Sequence, residues 1–270
     1  MTALQPSAAW RARLAAAADA PPRRPRVPLW CGGERIGTVE PDLFERAGLA
    51  GGTLVLAAGD GWSLGGGDAT ATLGRIADAL RERGLAHVWR HEQLAVRGEG
   101  GTCVGTVERG VARALGIATD AVHLTALAPD GAIWVQQRAL DKPTDPGRWD
   151  TLVGGLVPAS DTLAQALERE TWEEAGLRPP QLQGLRAGGR IVTRRPLPEQ
   201  DHGYVVEVLH WSVCTLPAGV EPSNQDGEVA AFRRMDPGEL TRRLEAGEFT
   251  VDAALVLLAA HGRQAASQQA

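Results

Sequence analysis

The chain has 270 residues, 43% of them hydrophobic, with 28 Lys and Arg against 33 Asp and Glu for a net charge of -5. That length supports two domains with real cores. The lack of a basic tract argues against nucleic acid or an anionic membrane as a partner and for a small ligand.

No apolar run approaches the roughly 18 to 20 residues of a membrane span, and the N-terminus lacks a secretory apolar stretch. Cys31, Cys103 and Cys214 are widely separated, with no paired spacing for zinc and an odd count for a disulfide framework, so they read as reduced core thiols. A cytoplasmic location is expected. The Ala- and Arg-rich start imitates a transit peptide, but the same composition runs through the whole chain.

In chain order, RVPLWC (26–31), RIGTV (35–39) and TLVLAA (53–58) read as strands. GDGWSLGGGDA (59–69) reads as a flexible loop, since it has no phosphate-cradling Lys-Ser/Thr ending. ATLGRIADALRERG follows as a helix, with Leu73, Ile76, Ala77 and Leu80 at helical spacing and Gly84 as its stop. VERGVARALG (107–116) is predicted helical, and the polar step IATD places a boundary near residue 119.

Beyond it, AVHLTALA (121–128) and AIWVQQR (132–138) are strands joined by the turn PDG. A long loop, ALDKPTDPGRW, then leads to DTLVGGLV, and loops of this length in compact domains often carry function. Strands 204–216 and 228–235 and two closing helices complete the pattern. The expected organisation is an α+β N-terminal domain over 1–119, a second domain over 120–264 and a disordered tail over 265–270.

SDTLAQALERETWEEAG should form one helix of about four turns, with Ser160 and Asp161 offering N-cap chemistry and Gly176 a stop. At roughly 100° per residue with Leu163 at zero, Glu170 falls near 340° and Glu174 near 20°, on the apolar stripe with Ala166 and Leu167. Glu173 borders that face at roughly 280°, four residues from Arg169, with which it can pair. Carboxylates beside leucines are costly without a cation, and a cluster of acids suits a hard divalent ion. The structurally bland alternative is a solvated helix face laced with Arg–Glu pairs.

Gly155, then Asp161, then Arg169-Glu170-Thr171-Trp172-Glu173-Glu174-Ala175-Gly176-Leu177 resembles the Nudix box, glycine-x5-Glu-x7-Arg-Glu-aliphatic-x-Glu-Glu-x-Gly-aliphatic. Asp161 replaces the early glutamate and Thr171 the aliphatic residue. The resemblance implies an α+β fold, a Nudix α/β/α sandwich with a mixed sheet preceded by the smaller N-terminal domain, that holds Mg2+ or Mn2+ at a diphosphate. It implies Glu170, Glu174 and the Gly155 carbonyl as metal ligands, with Glu173 completing that set or relaying protons and Arg169 orienting a glutamate.

Outside the box, VWRHEQLAV, NQDGEV and FTVDAALVLLAAHG look like the thiamin pyrophosphokinase-related Nudix group. In that group the segment ahead of the box resembles arginine-x3-Lys-x-x-x-Pro-Gly, here Arg138, Lys142, Pro146 and Gly147. Lys142 is the only lysine in the chain. As a compact point charge it suits phosphate contact, and Arg138 is expected to share that role. Glu228, in NQDGEV, is the candidate for a further ligand or the base that activates water.

The implied activity is hydrolysis of a small-molecule diphosphate, with thiamin diphosphate or its oxidised analogues as the group's substrates. Alternatives are an ADP-ribose or nucleotide-sugar pyrophosphatase, an isopentenyl-diphosphate isomerase and a silent ligand sensor. The N-terminal domain either covers the substrate or forms a homodimer interface.

Overall fold

The computed structural model describes residues 4–197 and 202–267. Helix α1 (Ala8–Ala18) is capped by the Ser7 hydroxyl, which accepts from Trp10 N at 3.3 Å. Next come strands β1 (Val27–Cys31) and β2 (Glu34–Val39), the short helix α2 (Leu43–Arg46), strands β3 (Val55–Ala58) and β4 (Gly61–Leu64), and helix α3 (Ala69–Glu82). The four strands form one sheet in the order β2-β1-β4-β3. Leu73, Ile76, Ala77 and Leu80 of α3 are buried in the core of this unit with Leu29, Phe44 and Val55.

Strand β4 lies inside the stretch expected to be a flexible loop. Gly61 pairs with Ala58 in the β3–β4 hairpin, and a Cβ there would come 2.3 Å from the Pro28 carbonyl oxygen. That glycine serves close backbone approach rather than flexibility.

A hairpin of β5 (Gln93–Arg97) and β6 (Cys103–Glu108) follows, then a single helical turn, α4 (Arg109–Ala112). The helix expected over 107–116 is therefore cut short. Val107 completes a cross-strand pair with Leu94, and the chain turns only after Glu108. The boundary expected near residue 119 falls at the start of β7 (Ala118–Leu127), which pairs in parallel with a later strand.

The second unit continues with β8 (Ile133–Arg138), β9 (Trp149–Thr151), β10 (Val153–Leu156), helix α5 (Leu163–Ala175), β11 (Gln183–Pro196), β12 (Tyr204–Thr215), β13 (Val229–Met235), helix α6 (Pro237–Glu245) and helix α7 (Val251–Ser267). Its mixed sheet runs β11-β12-β7-β8-β13, with β10 on β7 and β9 on β8. Leu124, Leu152 and Val153 face Ala175 and Leu177 at the α5 end, whereas Ala121, Val135 and Leu209 pack with Val256 and Leu257 of α7. This is an α/β/α sandwich.

Helix α1 adds Trp10 and Leu14 to the α7 core, although it precedes the first sheet in sequence. The Arg- and Gly-rich strand β11 escaped the sequence reading because it sits at the sheet edge with most of its residues exposed. The expected disordered tail is helical as far as Ser267, and residues 268–270 lie outside the described residues.

Helix α5 starts one residue later than Ser160 and Asp161 suggested. Thr162 is the N-cap, and it exchanges hydrogen bonds with Gln165 in a capping box. Gly176, with φ of 63°, ends the helix in the left-handed region. Thr162→Ala is expected to cost about 1 kcal/mol and lower Tm by roughly 2–4 °C, read by thermal unfolding.

Candidate active site

Helix α5 turns part of the expected stripe inward. Ala166, Thr171, Glu174 and Ala175 are buried, so Glu174 lies on the packed face. Leu163, set at the middle of that stripe, is instead 42% exposed. The Thr171 hydroxyl, where an aliphatic residue is usual, donates to the Leu167 carbonyl at 2.6 Å and is thereby buried without loss.

Glu174 Oε2 accepts from Gln136 Nε2 and from the Gly154 amide, both at 2.9 Å. Burial, reinforced by the charge of Glu170, pushes its carboxyl up to about 8. Burial likewise pushes Glu170 up to about 7, even though Arg169 opposes the shift. Two carboxylates thus sit where ionisation is expensive, and among the described residues no ion pair offsets the charge of Glu174.

Gly155 lies against Glu170. A Cβ on Gly155 would fall 2.1 Å from the Glu170 carboxyl carbon, so only glycine leaves that carboxylate in place. Gly155→Ala is expected to displace Glu170, lowering turnover by about 10- to 100-fold with Tm changed little. Steady-state assay beside thermal unfolding checks both halves, and full activity would show that the close approach is dispensable.

Arg169 gathers the remaining acids. Its Nε bonds Asp161 Oδ2 at 3.0 Å, and its Nη1 bonds Glu170 Oε1 at 2.8 Å and Glu173 Oε2 at 2.9 Å. The Arg169–Glu173 pair expected from spacing is present. Asp161, standing where the box has glutamate, anchors Arg169. Burial alone would lower the guanidinium pKa, but Glu170, Asp161 and Glu173 raise it, so the side chain stays charged.

No three His, Cys, Asp or Glu side chains are drawn together at ligand spacing among the described residues, and at this site Arg169 bonds both Glu170 and Glu173. The donor set still fits a hard divalent ion. Glu170 and Glu174 are desolvated carboxylates, Gly155 is stripped to its backbone beside them, and Gln136 Oε1 is buried without a hydrogen-bond partner.

The loop after β8 closes the other side. Lys142 Nζ is hydrogen-bonded to the Glu228 carboxylate, bringing together two residues read separately from the sequence. Burial would raise the Glu228 carboxyl, but the Lys142 hydrogen bond and charge hold it below the ordinary range. Arg138 spends its guanidinium locally. Its Nε and Nη2 donate to the Thr144 carbonyl at 3.3 and 2.9 Å, and its Nη1 lies 3.5 Å from Asp150 Oδ2. It lines the cleft chiefly as the strut of the loop.

Gly155, Arg169, Glu170, Glu173, Arg138, Lys142 and Glu228 line one cleft of about 240 Å3, which the first unit walls with Arg90, Glu92, Arg109 and Arg113, while Glu174 is buried against its Gly154 wall. A water needs roughly 10–15 Å3 of such space, so the cleft holds far more than one ion. Sequence reading missed Gln136, Arg195, Glu207 and Asp252. The available signal was a polar residue inside an apolar strand, as in IWVQQR and YVVEVL.

The NUDIX domain family model matches residues 118–255. The chain is 26% identical over 193 residues to Nudix hydrolase 24, chloroplastic, of Arabidopsis thaliana, covering 70% of this chain and 52% of that protein. It is 29% identical over 170 residues to Nudix hydrolase 20, chloroplastic, of the same plant, covering 62% and 45%. The chain therefore spans about half the length of the curated relatives it matches. Among solved structures, DR0079 from Deinococcus radiodurans aligns with a TM-score of 0.49 and 22% identity, over 62% of this chain and 97% of that one. With the family model covering the whole sheet and the helix that carries Glu170 and Glu174, this chain belongs to the Nudix hydrolase family.

Proposed function

We propose that the chain is a metal-dependent hydrolase of a diphosphate bond in a small molecule. The observation that carries this reading is the desolvated Glu170–Glu174 pair, of which Glu170 lines a cleft that Lys142, Arg90 and Arg109 also line. Buried acids opposite bases suit a cation and a polyanion held together.

Glu170, Glu174 and the Gly155 carbonyl would hold Mg2+ or Mn2+. When bound, the ion withdraws charge from the diphosphate oxygens and lowers the pKa of water near it. Arg169 fixes the rotamers of Glu170 and Glu173, which limits the geometries the two carboxylates can take. Lys142 is shared between Glu228 and the incoming phosphate. A diphosphate oxygen competes for its ammonium, and the freed Glu228 carboxylate takes a proton from the attacking water. Arg138 keeps the loop closed over that step by holding the Thr144 carbonyl.

The finer reading, thiamin diphosphate or an oxidised analogue converted to monophosphate and phosphate, is supported by the Arg138–Lys142–Pro146–Gly147 pattern and the NQDGEV segment. ADP-ribose is the competing substrate. The expected result is metal-dependent phosphate release from thiamin diphosphates that exceeds AMP release from ADP-ribose. The reverse order would favour a nucleotide pyrophosphatase, and tight binding without turnover of either would point to a sensor.

A further inference from the structure

The cleft holds a second, largely buried cluster of charged side chains, its inner end, that no step above uses. It is lined by Arg113, just after α4, by Arg195 of β11, by Glu207 of β12 and by Asp252 of α7. Arg195 Nη2 meets Asp252 Oδ2 at 2.6 Å. Glu207 Oε2 accepts from the Thr119 hydroxyl at 3.4 Å and lies within electrostatic reach of both arginines.

The arrangement has unmet capacity. The Arg195 side chain is only 9% exposed, yet its Nε has no hydrogen-bond partner, nor has Asp252 Oδ1. Each such omission leaves a desolvated polar atom uncompensated, and buried ion pairs are poor stabilisers to begin with. Burial also drives the Glu207 carboxyl upward, against the pull of Arg113 and Arg195. Stability alone does not account for these groups.

The charge pattern narrows what fits. Two cations beside two carboxylates sum to zero, so this end would repel a phosphate from one half while attracting it with the other. An apolar tail would leave Arg195 Nε and Asp252 Oδ1 without partners. A fragment with donors and acceptors side by side would satisfy both halves.

We infer that the inner end is the recognition pocket for the organic group of the substrate, a heterocycle edge that donates to Glu207 and Asp252 and accepts from Arg113 and Arg195. The N-terminal unit then contributes directly to the site, because Arg113 comes from it. Its position is fixed by its own backbone, whose carbonyl accepts from Tyr204 N at 2.9 Å. This assignment rests on the diphosphate reading for its placement but not for its test.

The test compares the full chain with Glu207→Gln and Asp252→Asn on thiamin diphosphate, ADP and isopentenyl diphosphate, which share a terminal phosphate and differ in the organic group. Wild type is expected to favour one heterocyclic substrate over isopentenyl diphosphate by about tenfold or more in kcat/KM. Each variant should cut that preference by about 10- to 100-fold, mainly through KM, and leave isopentenyl diphosphate within about threefold. Glu170→Gln should instead lower all substrates alike. No preference in wild type, or an equal loss on every substrate in both variants, overturns the pocket.

If wild type turns over none of the three, the diphosphate reading fails by itself. The pocket is then decided by calorimetric titration of free thiamin and adenosine. Binding weakened about tenfold or more by Glu207→Gln supports it, and unchanged or undetectable binding overturns it.

Discussion

Replacing Glu174 with glutamine is expected to lower diphosphate turnover on the order of 10^3-fold while raising the stability of the metal-free protein at pH 8. The two halves share one cause. Glu174 is 1% exposed, and its Oε2 already accepts from Gln136 and Gly154. The amide oxygen of glutamine can keep both bonds at the same size, so the fold is retained. What disappears is the charge, which burial makes expensive in the absence of a cation and which the proposed reaction requires when one is present. Steady-state turnover with saturating Mg2+, read beside thermal unfolding in EDTA, separates this from simple misfolding. Activity within about threefold of wild type would remove Glu174 from the site. Glu173→Gln should cost less, because the Glu173 side chain is 41% exposed and already spent on Arg169.

The part of the site legible in the sequence was the part set by helical periodicity. Glu170 and Glu174 at i and i+4 must share a face, and the surrounding Ala166, Leu167 and Ala175 decide that the face points inward. The Arg169–Glu173 pair followed from the same spacing, and the resemblance to the Nudix box supplied Gly155. Contacts formed across the sheet were not legible. Arg195 and Glu207 lie on neighbouring antiparallel strands and Asp252 on a helix 57 residues beyond Arg195, so no local pattern joins them. Lys142 and Glu228 were each singled out, but their pairing spans 86 residues and had to come from the structure.

Fold reading failed where glycine and arginine disguised strands. Gly61 in β4 looks like a loop residue until the Pro28 carbonyl is seen beside it. β11 looks like a polar linker because, as an edge strand, it has one sheet neighbour and exposes most of its side chains. The helix expected from VERGVARALG has helical propensity, but the pairing of Val107 with Leu94 outweighs it.

The metal-free protein is expected to lose stability as pH rises from about 4.5 to about 8. Glu170 and Glu174 titrate in the folded chain at about 7 and about 8, above their unfolded value of roughly 4.3. Across that window the folded state therefore binds more protons than the unfolded state. Its advantage is complete below the unfolded value and is lost as pH climbs through the folded ones. The loss is on the order of a few kcal/mol. Glu228, held low by Lys142, contributes with the opposite sign, losing its stabilisation only on acidification. Millimolar Mg2+ competes with protons for the same oxygens, so its stabilising effect should grow with pH and be smallest below pH 5. Thermal unfolding from pH 4.5 to 9, with EDTA or with Mg2+, should give curves that diverge steadily toward alkaline pH. In Glu174→Gln the alkaline slope should shrink and most of the Mg2+ shift should vanish. Parallel curves in wild type would mean that these carboxylates neither stay protonated in the folded chain nor receive the ion.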